Sequence, residues 1–385
     1  MKKTAVHFGA GVIGKGFIGD LLHDSGFEIV FVDIDEAAMR SLSEKGTYTI
    51  YQIGDHSKQK VIDRVRGLSP ITDEAEVIDQ IAKAEIITTA VWATNLNKVA
   101  PIIAKGLKKR LEQGAPKVNV LACENAIRAT DTLKRELIQT NILTETELDQ
   151  IACFPNTGID RMVFELIVDG EKHVEVGPEF ELSIEQPKLV DPKSQPIAHA
   201  EYTDNLDKYL QRKLYIVNCA HATGSYYGYL KGYKNYIDAL EDQQILADVW
   251  GSIRESALML HHKYGFTMDD LEAYLQFIMR RFNTLGVKDP VTRIGRSPIR
   301  KLQSNDRLAG PALECEKLGL KNDHLAKGIA AALLFDSPDD PEAVELQAYI
   351  STHGIEKALT HFTSIEPDSP LGKKVLDAYT TLRTP

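Results

Sequence analysis

The sequence predicts an α/β fold, with a doubly wound parallel sheet in the N-terminal part and a mostly α-helical C-terminal part. Three observations predict it. Short, buried-type strands alternate with amphipathic helices through about residue 122, a glycine-rich turn joins the first strand to the first helix, and beyond Tyr202 the apolar spacing is almost all helical. A chain of 385 residues is long for one core, so two domains are expected, over 1–195 and 196–385.

The first strand, residues 4–8, runs into Gly9-Ala10-Gly11-Val12-Ile13-Gly14. A helix through FIGDLLHDSG stops at Gly26, and a second strand over 28–32 ends at Asp33. Strand, GxGxxG, helix, strand and acid in this order frame a Rossmann-type dinucleotide site, where a lone glycine triplet would be a weak sign. Gly9 allows the tight turn, Gly11 lets backbone approach a pyrophosphate, and Gly14 lets helix and strand pack closely. The helix N-terminus offers N–H groups and a positive dipole end to the phosphates. Phe8, Ala10, Val12 and Ile13 share the turn and are expected beside the cofactor. Asp33 is expected to accept hydrogen bonds from the adenosine ribose and to repel a 2′-phosphate, favouring NAD over NADP.

The alternation continues with a helix over 76–84, a strand over 85–91, a helix over 95–112 and a strand over 118–122. Ligands lie at the carboxyl ends of such strands, so Thr88, Thr89 and Ala90, and after the next strand Glu124 and Asn125, are expected to flank the cofactor. Cys123 between them suits core packing. Residues 47–68 suggest a hairpin beside the cofactor site. Phe154-Pro155-Asn156-Thr157-Gly158 reads as a turn, with Asn156 either a turn-former or an amide directed into a cleft. Residues 173–184 alternate like a strand pair, and 186–199, with three prolines, is the best linker candidate.

In the second part, helices are expected over 208–230, 237–262, 268–282, 324–335, 341–352 and near Leu371, punctuated by Gly265, Gly286, Gly319 and Gly354. Packed over the open edge of a nucleotide-binding sheet, they would close a cleft for a small-molecule substrate. The apolar helix over 208–230 carries Lys213, Asn218 and His221, which at about 100° per residue share an arc of roughly 140° over about 12 Å of helix. The segment Arg293, Arg296, Arg300, Lys301 and Arg307 is the densest basic stretch, either a solvated surface or a grip for phosphate or carboxylate.

The composition excludes several classes. A net charge of −10 without a basic run argues against nucleic acid and anionic membrane as partners. No apolar run approaches the ~18 residues that would span a bilayer. The stretch opening Met1-Lys2-Lys3 breaks into glycines too soon for a signal peptide. Cys123, Cys153, Cys219 and Cys315 are far apart and suit buried thiols in a reducing cytoplasm better than disulfides or zinc. Adjacent His261 and His262 do not face together on a helix, and no metal is expected.

A nicotinamide-dependent enzyme acting on an alcohol must remove the hydroxyl proton as hydride leaves. Tyr227-x3-Lys231 matches the pattern of short-chain dehydrogenases, but this segment is tyrosine-rich and the glycine spacing differs. Lys213 remains. On an apolar helix beside a cationic nicotinamide, desolvation and like charge would both favour its neutral amine. The bland alternative is an exposed helix-start lysine beside Arg212.

At these residues the chain resembles the polyol-specific long-chain dehydrogenase/reductase family. The resemblance runs through FGAGVIGKGFIG at 8–19, TTAV at 88–91, CEN at 123–125, NTGIDRM at 156–162, Lys213-x4-Asn218-x2-His221, GY at 232–233 and RIGRSPIRKL at 293–302. It implies a metal-independent, NAD-dependent oxidoreductase with Lys213 as general acid/base, Asn156 and Asn218 as an oxyanion hole, and His221 orienting substrate. It further implies the pair D-mannitol 1-phosphate and D-fructose 6-phosphate and places the 293–307 cluster on the active-site rim, where Arg296, Arg300 or Lys301 is expected to bind the phosphate; a monomer and a homodimer both remain open. Rivals are another NAD-dependent polyol dehydrogenase, a β-hydroxyacid or 6-phosphogluconate-type dehydrogenase, whose glycine-rich substrate motif is replaced here by Pro155-Asn156-Thr157-Gly158, and a non-catalytic NAD-binding sensor.

Overall fold

The computed structural model describes residues 3–282 and 289–383. Gly286, expected to punctuate the helices, lies outside the described residues, as do Met1 and Lys2. The chain divides into two compact units, Met1–Tyr209 and Leu210–Pro385.

In the first unit, β1 (Thr4–Phe8), β2 (Glu28–Val32), β5 (Val65–Leu68), β6 (Ile86–Thr89), β7 (Val118–Ala122) and β8 (Ala152–Cys153) form a sheet in the order β5-β2-β1-β6-β7-β8. All its pairs are parallel. These strands are near-continuous apolar runs because both faces are covered. Val6 and Phe8 of β1 pack on one face with the helices Glu74–Lys83 and Leu96–Glu112, while Ala5 faces a second core with Phe17, Phe31 and Ile50. The order of the strands reverses between β1 and β6, the switch point that leaves a crevice beyond the carboxyl ends.

A second sheet covers that other face. It contains β3 (Tyr48–Gln52), β4 (Asp55–Ile62), β10 (Glu171–Glu185) and β11 (Glu201–Thr203), with β9 (Thr157–Val168) paired to β10. Three expectations change here. The 47–68 hairpin exists as β3 and β4, but its final residues break away at Arg64, with φ 55°, and β5 joins the main sheet beside β2. Residues 173–184 are not a strand pair; they belong to the single strand β10, whose partner β9 begins inside the segment read as a turn. The turn between them is Asp169-Gly170, both with positive φ, the geometry that suits strand twist in a two-residue hairpin.

In the second unit the helix Cys219–Leu230 is buried along most of its length, and small residues let neighbours close on it. A Cβ on Gly224 would lie 2.8 Å from the Tyr236 ring, and one on Gly228 2.8 Å from Ala239. The expected helix over 237–262 is two helices, Tyr236–Leu240 and Gln243–Tyr264, because Asp242 caps the second through the N–H groups of Gln244 and Ile245. Gly265 ends it in the left-handed region, as a C-terminal glycine does. Among the described residues no helix is long and apolar enough to cross a membrane.

Candidate functional site

In the first unit, β1 delivers the chain to Gly9, whose φ is +100°. A Cβ there would lie 2.3 Å from the carbonyl oxygen of Ala90, so only glycine fits. A Cβ on Gly14 would lie 1.9 Å from the Gly9 oxygen, which makes glycine obligatory for closing the turn. Gly11 is the contrast: it is exposed, and a Cβ would meet nothing within 4 Å. That open side is where backbone can approach a pyrophosphate. At the end of β2, Asp33 Oδ2 accepts the Ala10 N–H at 2.7 Å and Oδ1 accepts the Asp35 N–H at 3.2 Å. The acid expected on the ribose is thus tied to the glycine turn itself. These residues fit a dinucleotide.

A cavity of about 640 Å³ runs from Ala10, Gly11 and Val12 past Asp35 to Tyr48 and His173. Two of its residues escaped the sequence reading. Lys15 stands directly after the glycine motif, and burial lowers its pKa against the raising pull of Asp33 and Asp35. Its position next to Gly14 was a legible signal. Tyr48 donates its hydroxyl to the Lys15 carbonyl at 2.8 Å, a contact between segments 33 residues apart that no local pattern announces.

The other expected cofactor residues divide. Ala90 lies against Gly9, while Val12 and Ile13 are half-buried beside the turn. Phe8 is buried in the core, and its side chain packs there. Thr88 donates to or accepts from His7 Nδ1 at 2.7 Å, and Thr89 gives its hydroxyl to Glu124 Oε1 at 2.8 Å. These two threonines brace the strand ends from within. Burial raises the pKa of Glu124, opposed by the Val91 N–H and the Thr89 hydroxyl. Asn125 is exposed after β7. Cys123 is fully buried and its thiol is pushed up by that burial, so it packs in the core.

Asn156, at the start of β9, is buried and its amide is fully engaged. Nδ2 donates to Asp131 Oδ1 at 2.9 Å and to Glu185 Oε2 at 3.0 Å, while Oδ1 accepts the Asp131 N–H at 3.1 Å. It lines a small polar cavity of about 90 Å³ with Arg128, Glu185 and Asp207. Burial works against the Asp131 charge, but the bonds from Asn156 and Arg128 and the Lys188 charge outweigh it and lower its pKa.

In the second unit the segment around the expected acid/base changes register. The α-helix Leu206–Arg212 passes into a π-helical turn, Lys213–Asn218, and then into Cys219–Leu230. In a π-turn the backbone bonds run from i to i+5, so residues five apart lie one turn above each other. Lys213 and Asn218 are five apart. The uniform α-helix of the sequence reading spread them over its wide arc; the inserted residue draws them onto one face. Lys213, Asn218 and His221 are half-buried, whereas Tyr215, Ile216, Val217, Cys219 and Ala220 between them are buried. The His221 ring lies 4.1 Å from that of Phe282 and 5.1 Å from that of Tyr236, centroid to centroid, which fixes its plane. Tyr227 is buried and Lys231 is paired with Asp242 at 2.8 Å, so the Tyr-x3-Lys match is structural.

The basic segment forms two short helices, Val291–Gly295 and Pro298–Leu302, hinged at Ser297 with φ 61°. Its cations do different things. Arg293 pairs with Asp289, Arg307 with Asp306 at 2.7 Å, and Arg296 and Arg300 are exposed. Lys301 is 4% exposed and turns inward, donating to the carbonyls of Ile294 and Arg296. Burial, then the charges of Arg307 and Arg300, lower its pKa to about 7.

The mannitol dehydrogenase Rossmann domain model matches residues 3–196 and the mannitol dehydrogenase C-terminal domain model matches 205–382. The chain is 40% identical over 381 residues to the mannitol-1-phosphate 5-dehydrogenase of Geobacillus stearothermophilus, covering 98% of this chain and 100% of that one. It is 41% identical over 369 residues to the enzyme of that name from Anoxybacillus flavithermus, covering 95% and 97%. Its fold resembles that of Pseudomonas fluorescens mannitol 2-dehydrogenase, solved with NAD and D-mannitol, with a TM-score of 0.72, 18% identity and coverage of 100% and 92%. Matched in order along both of its parts, the chain belongs to the mannitol dehydrogenase family of oxidoreductases.

Proposed function

We propose that this enzyme interconverts D-mannitol 1-phosphate and D-fructose 6-phosphate, with Lys213 as general acid/base. The cofactor is NAD, for which the glycine turn and Asp33 are suited. The observation that supports the catalytic assignment is the π-turn, whose i to i+5 spacing draws Lys213 and Asn218 toward one face, both half-buried where Tyr215, Ile216 and Val217 between them are buried. The named activity of the relatives from Geobacillus stearothermophilus and Anoxybacillus flavithermus supports the choice of substrate.

NAD, which the turn Gly9–Gly14 and Asp33 would hold, would supply the acceptor for hydride from the carbinol carbon and, in its reduced form, the donor for the reverse direction. The Lys213 amine takes the hydroxyl proton, and in the reverse direction its ammonium returns it. Asn218, one turn away, donates its amide N–H to the oxygen as negative charge develops there, without a metal. His221, held between Phe282 and Tyr236, presents a ring nitrogen to the substrate at a fixed angle. Asn156, the second amide of the proposed oxyanion hole, has both amide hydrogens engaged by Asp131 and Glu185, so donation to substrate requires exchanging one of these bonds. Arg296 and Arg300, exposed on the basic segment, take the phosphate; Lys301 supports them by fixing the carbonyls of Ile294 and Arg296. A cytoplasmic location, with a monomer or homodimer as the working form, goes with this reading.

The test is oxidation of NADH followed by absorbance with fructose 6-phosphate, fructose and an oxo acid. Fructose 6-phosphate is expected to be the preferred substrate; preference for the oxo acid would overturn the assignment. In Lys213→Ala, turnover should fall by about 10²–10⁴-fold while NADH affinity is unchanged. Turnover near that of the unmodified enzyme would remove Lys213 from the mechanism.

A further inference from the structure

Beyond the end of β6, Trp92 has φ 72° and ψ 134°, a backbone region that side chains other than glycine rarely enter. Its indole is also 76% exposed, so the chain accepts a strained backbone and a solvated aromatic ring at one residue. The strain is fastened from both sides. Glu124, 4% exposed, accepts the Val91 N–H at 2.9 Å and the Thr89 hydroxyl at 2.8 Å. Asn95 Nδ2 donates to the Val91 carbonyl at 2.8 Å, and the Asn95 N–H donates to the Trp92 carbonyl at 2.8 Å. A buried carboxylate and an asparagine thus hold Val91 and the carbonyl of Trp92 itself around a conformation that the local sequence disfavours.

The place of this turn gives the strain a purpose. Thr89 is paired with Phe8 in the parallel register of β1 and β6, and Ala90 abuts Gly9. Trp92 therefore stands on the β6 side of the switch point, whereas Asp33 stands at the end of β2 on the other side. A dinucleotide with its adenosine ribose at Asp33 extends its other half toward β6. We infer that the Trp92 indole packs against the nicotinamide half of the dinucleotide and is a positioning residue for that ring. The inference rests on the NAD reading above. An electron-rich indole face suits the oxidised, cationic ring in particular.

The chain has two tryptophans, Trp92 and Trp250, so Trp250→Phe leaves Trp92 as the sole indole emitter. That variant is titrated with NAD and, separately, with ADP-ribose, which has the adenosine ribose and pyrophosphate but no nicotinamide. Binding of both is followed in parallel by calorimetry. The expected result is that NAD quenches the emission several-fold while ADP-ribose binds and leaves it nearly unchanged. Equal quenching by both ligands, or calorimetric NAD binding without quenching, would overturn the inference and leave the cofactor assignment standing. Absence of calorimetric binding by both overturns the cofactor reading and this inference with it. A second measurement keeps Trp250 intact. Trp92→Gly, which fits the backbone, should weaken NAD binding about tenfold and leave ADP-ribose binding unchanged, with Trp92→Phe in between. Unchanged NAD affinity in Trp92→Gly, or parallel losses for both ligands, would count against it.

Discussion

His7 shows how a single residue beneath the glycine turn carries a pH dependence of its own. Its ring is fully buried in β1, bonded to Thr88 through Nδ1, with Nε2 lacking a partner among the described residues. Burial lowers its pKa from 6.5 to about 3, against a smaller raising effect from the Gly9 backbone. The position leaves no room for adjustment, since a Cβ on Gly14 would lie 2.8 Å from that Nε2. As pH falls below 6.5 the unfolded chain binds a proton at this imidazole that the folded chain refuses, down to about 3. Over that window the folded state loses up to about 1.4 kcal/mol per pH unit. His7→Gln, which keeps a neutral hydrogen-bonding group toward Thr88, should flatten the acid limb by about that slope. Urea midpoints at several pH values between 4 and 7 measure it, and parallel acid limbs in the two proteins would exclude His7 as the cause.

At the scale of elements, Arg161 on β9 joins the second sheet to the helix that follows the glycine turn. Its guanidinium donates to the Gly16 carbonyl at 2.9 Å, the Gly177 carbonyl at 3.1 Å and Asp20 Oδ2 at 2.6 Å. It also lies 5.7 Å from the Phe17 ring centroid and 5.0 Å from that of Phe180. Both ends of the ion pair are nearly buried, so Arg161→Met strands a carboxylate inside the protein, a loss of about 3–5 kcal/mol for such a break. Lys60, bonded to the other Asp20 oxygen at 2.6 Å, should bring the loss to the low end of that range. Adding Asp20→Asn should recover part of the stability in urea unfolding; simple additivity of the two losses would mean that the pair is not coupled. The strand–helix alternation around this joint was legible because doubly covered strands are written as apolar runs. The pairing of β9 with β10 was not, because Pro155 and Gly158 signal a turn and the strand starts among those same residues. The π-helical turns Gly14–Gly19 and Lys213–Asn218 were likewise hidden, since nothing in their composition distinguishes i+5 from i+4 bonding and packing decides between them.

For the whole molecule, the problem is how a chain of net charge −10 would capture the doubly charged sugar phosphate proposed as its substrate. Residue types pointed to the proposed acid/base and to the cation-rich segment, but which of its cations face water depended on the local backbone geometry, since Lys301, Arg293 and Arg307 all find partners within seven residues. Asn156 found Asp131 and Glu185, and Lys301 turned onto backbone carbonyls, neither of which spacing reveals. Exposed Arg296 and Arg300 remain to oppose the repulsion of an acidic protein over the last few ångströms. Salt screens both fields with a Debye length of about 10 Å at 0.1 M, but contact with a guanidinium contributes most of the attraction at the site. Raising ionic strength from about 0.02 to 0.2 M should therefore raise the KM for fructose 6-phosphate several-fold with little change in kcat. Fructose, which lacks the phosphate, should show no such dependence. Arg296→Ala and Arg300→Ala should each raise the KM for fructose 6-phosphate by about tenfold at low salt, the value of one charge-assisted contact of about 1.4 kcal/mol, and flatten its salt dependence. The KM for NADH should stay the same in both variants. Equal increases for NADH and fructose 6-phosphate, or salt curves parallel to that of the unmodified enzyme, would place the phosphate elsewhere than on these two arginines.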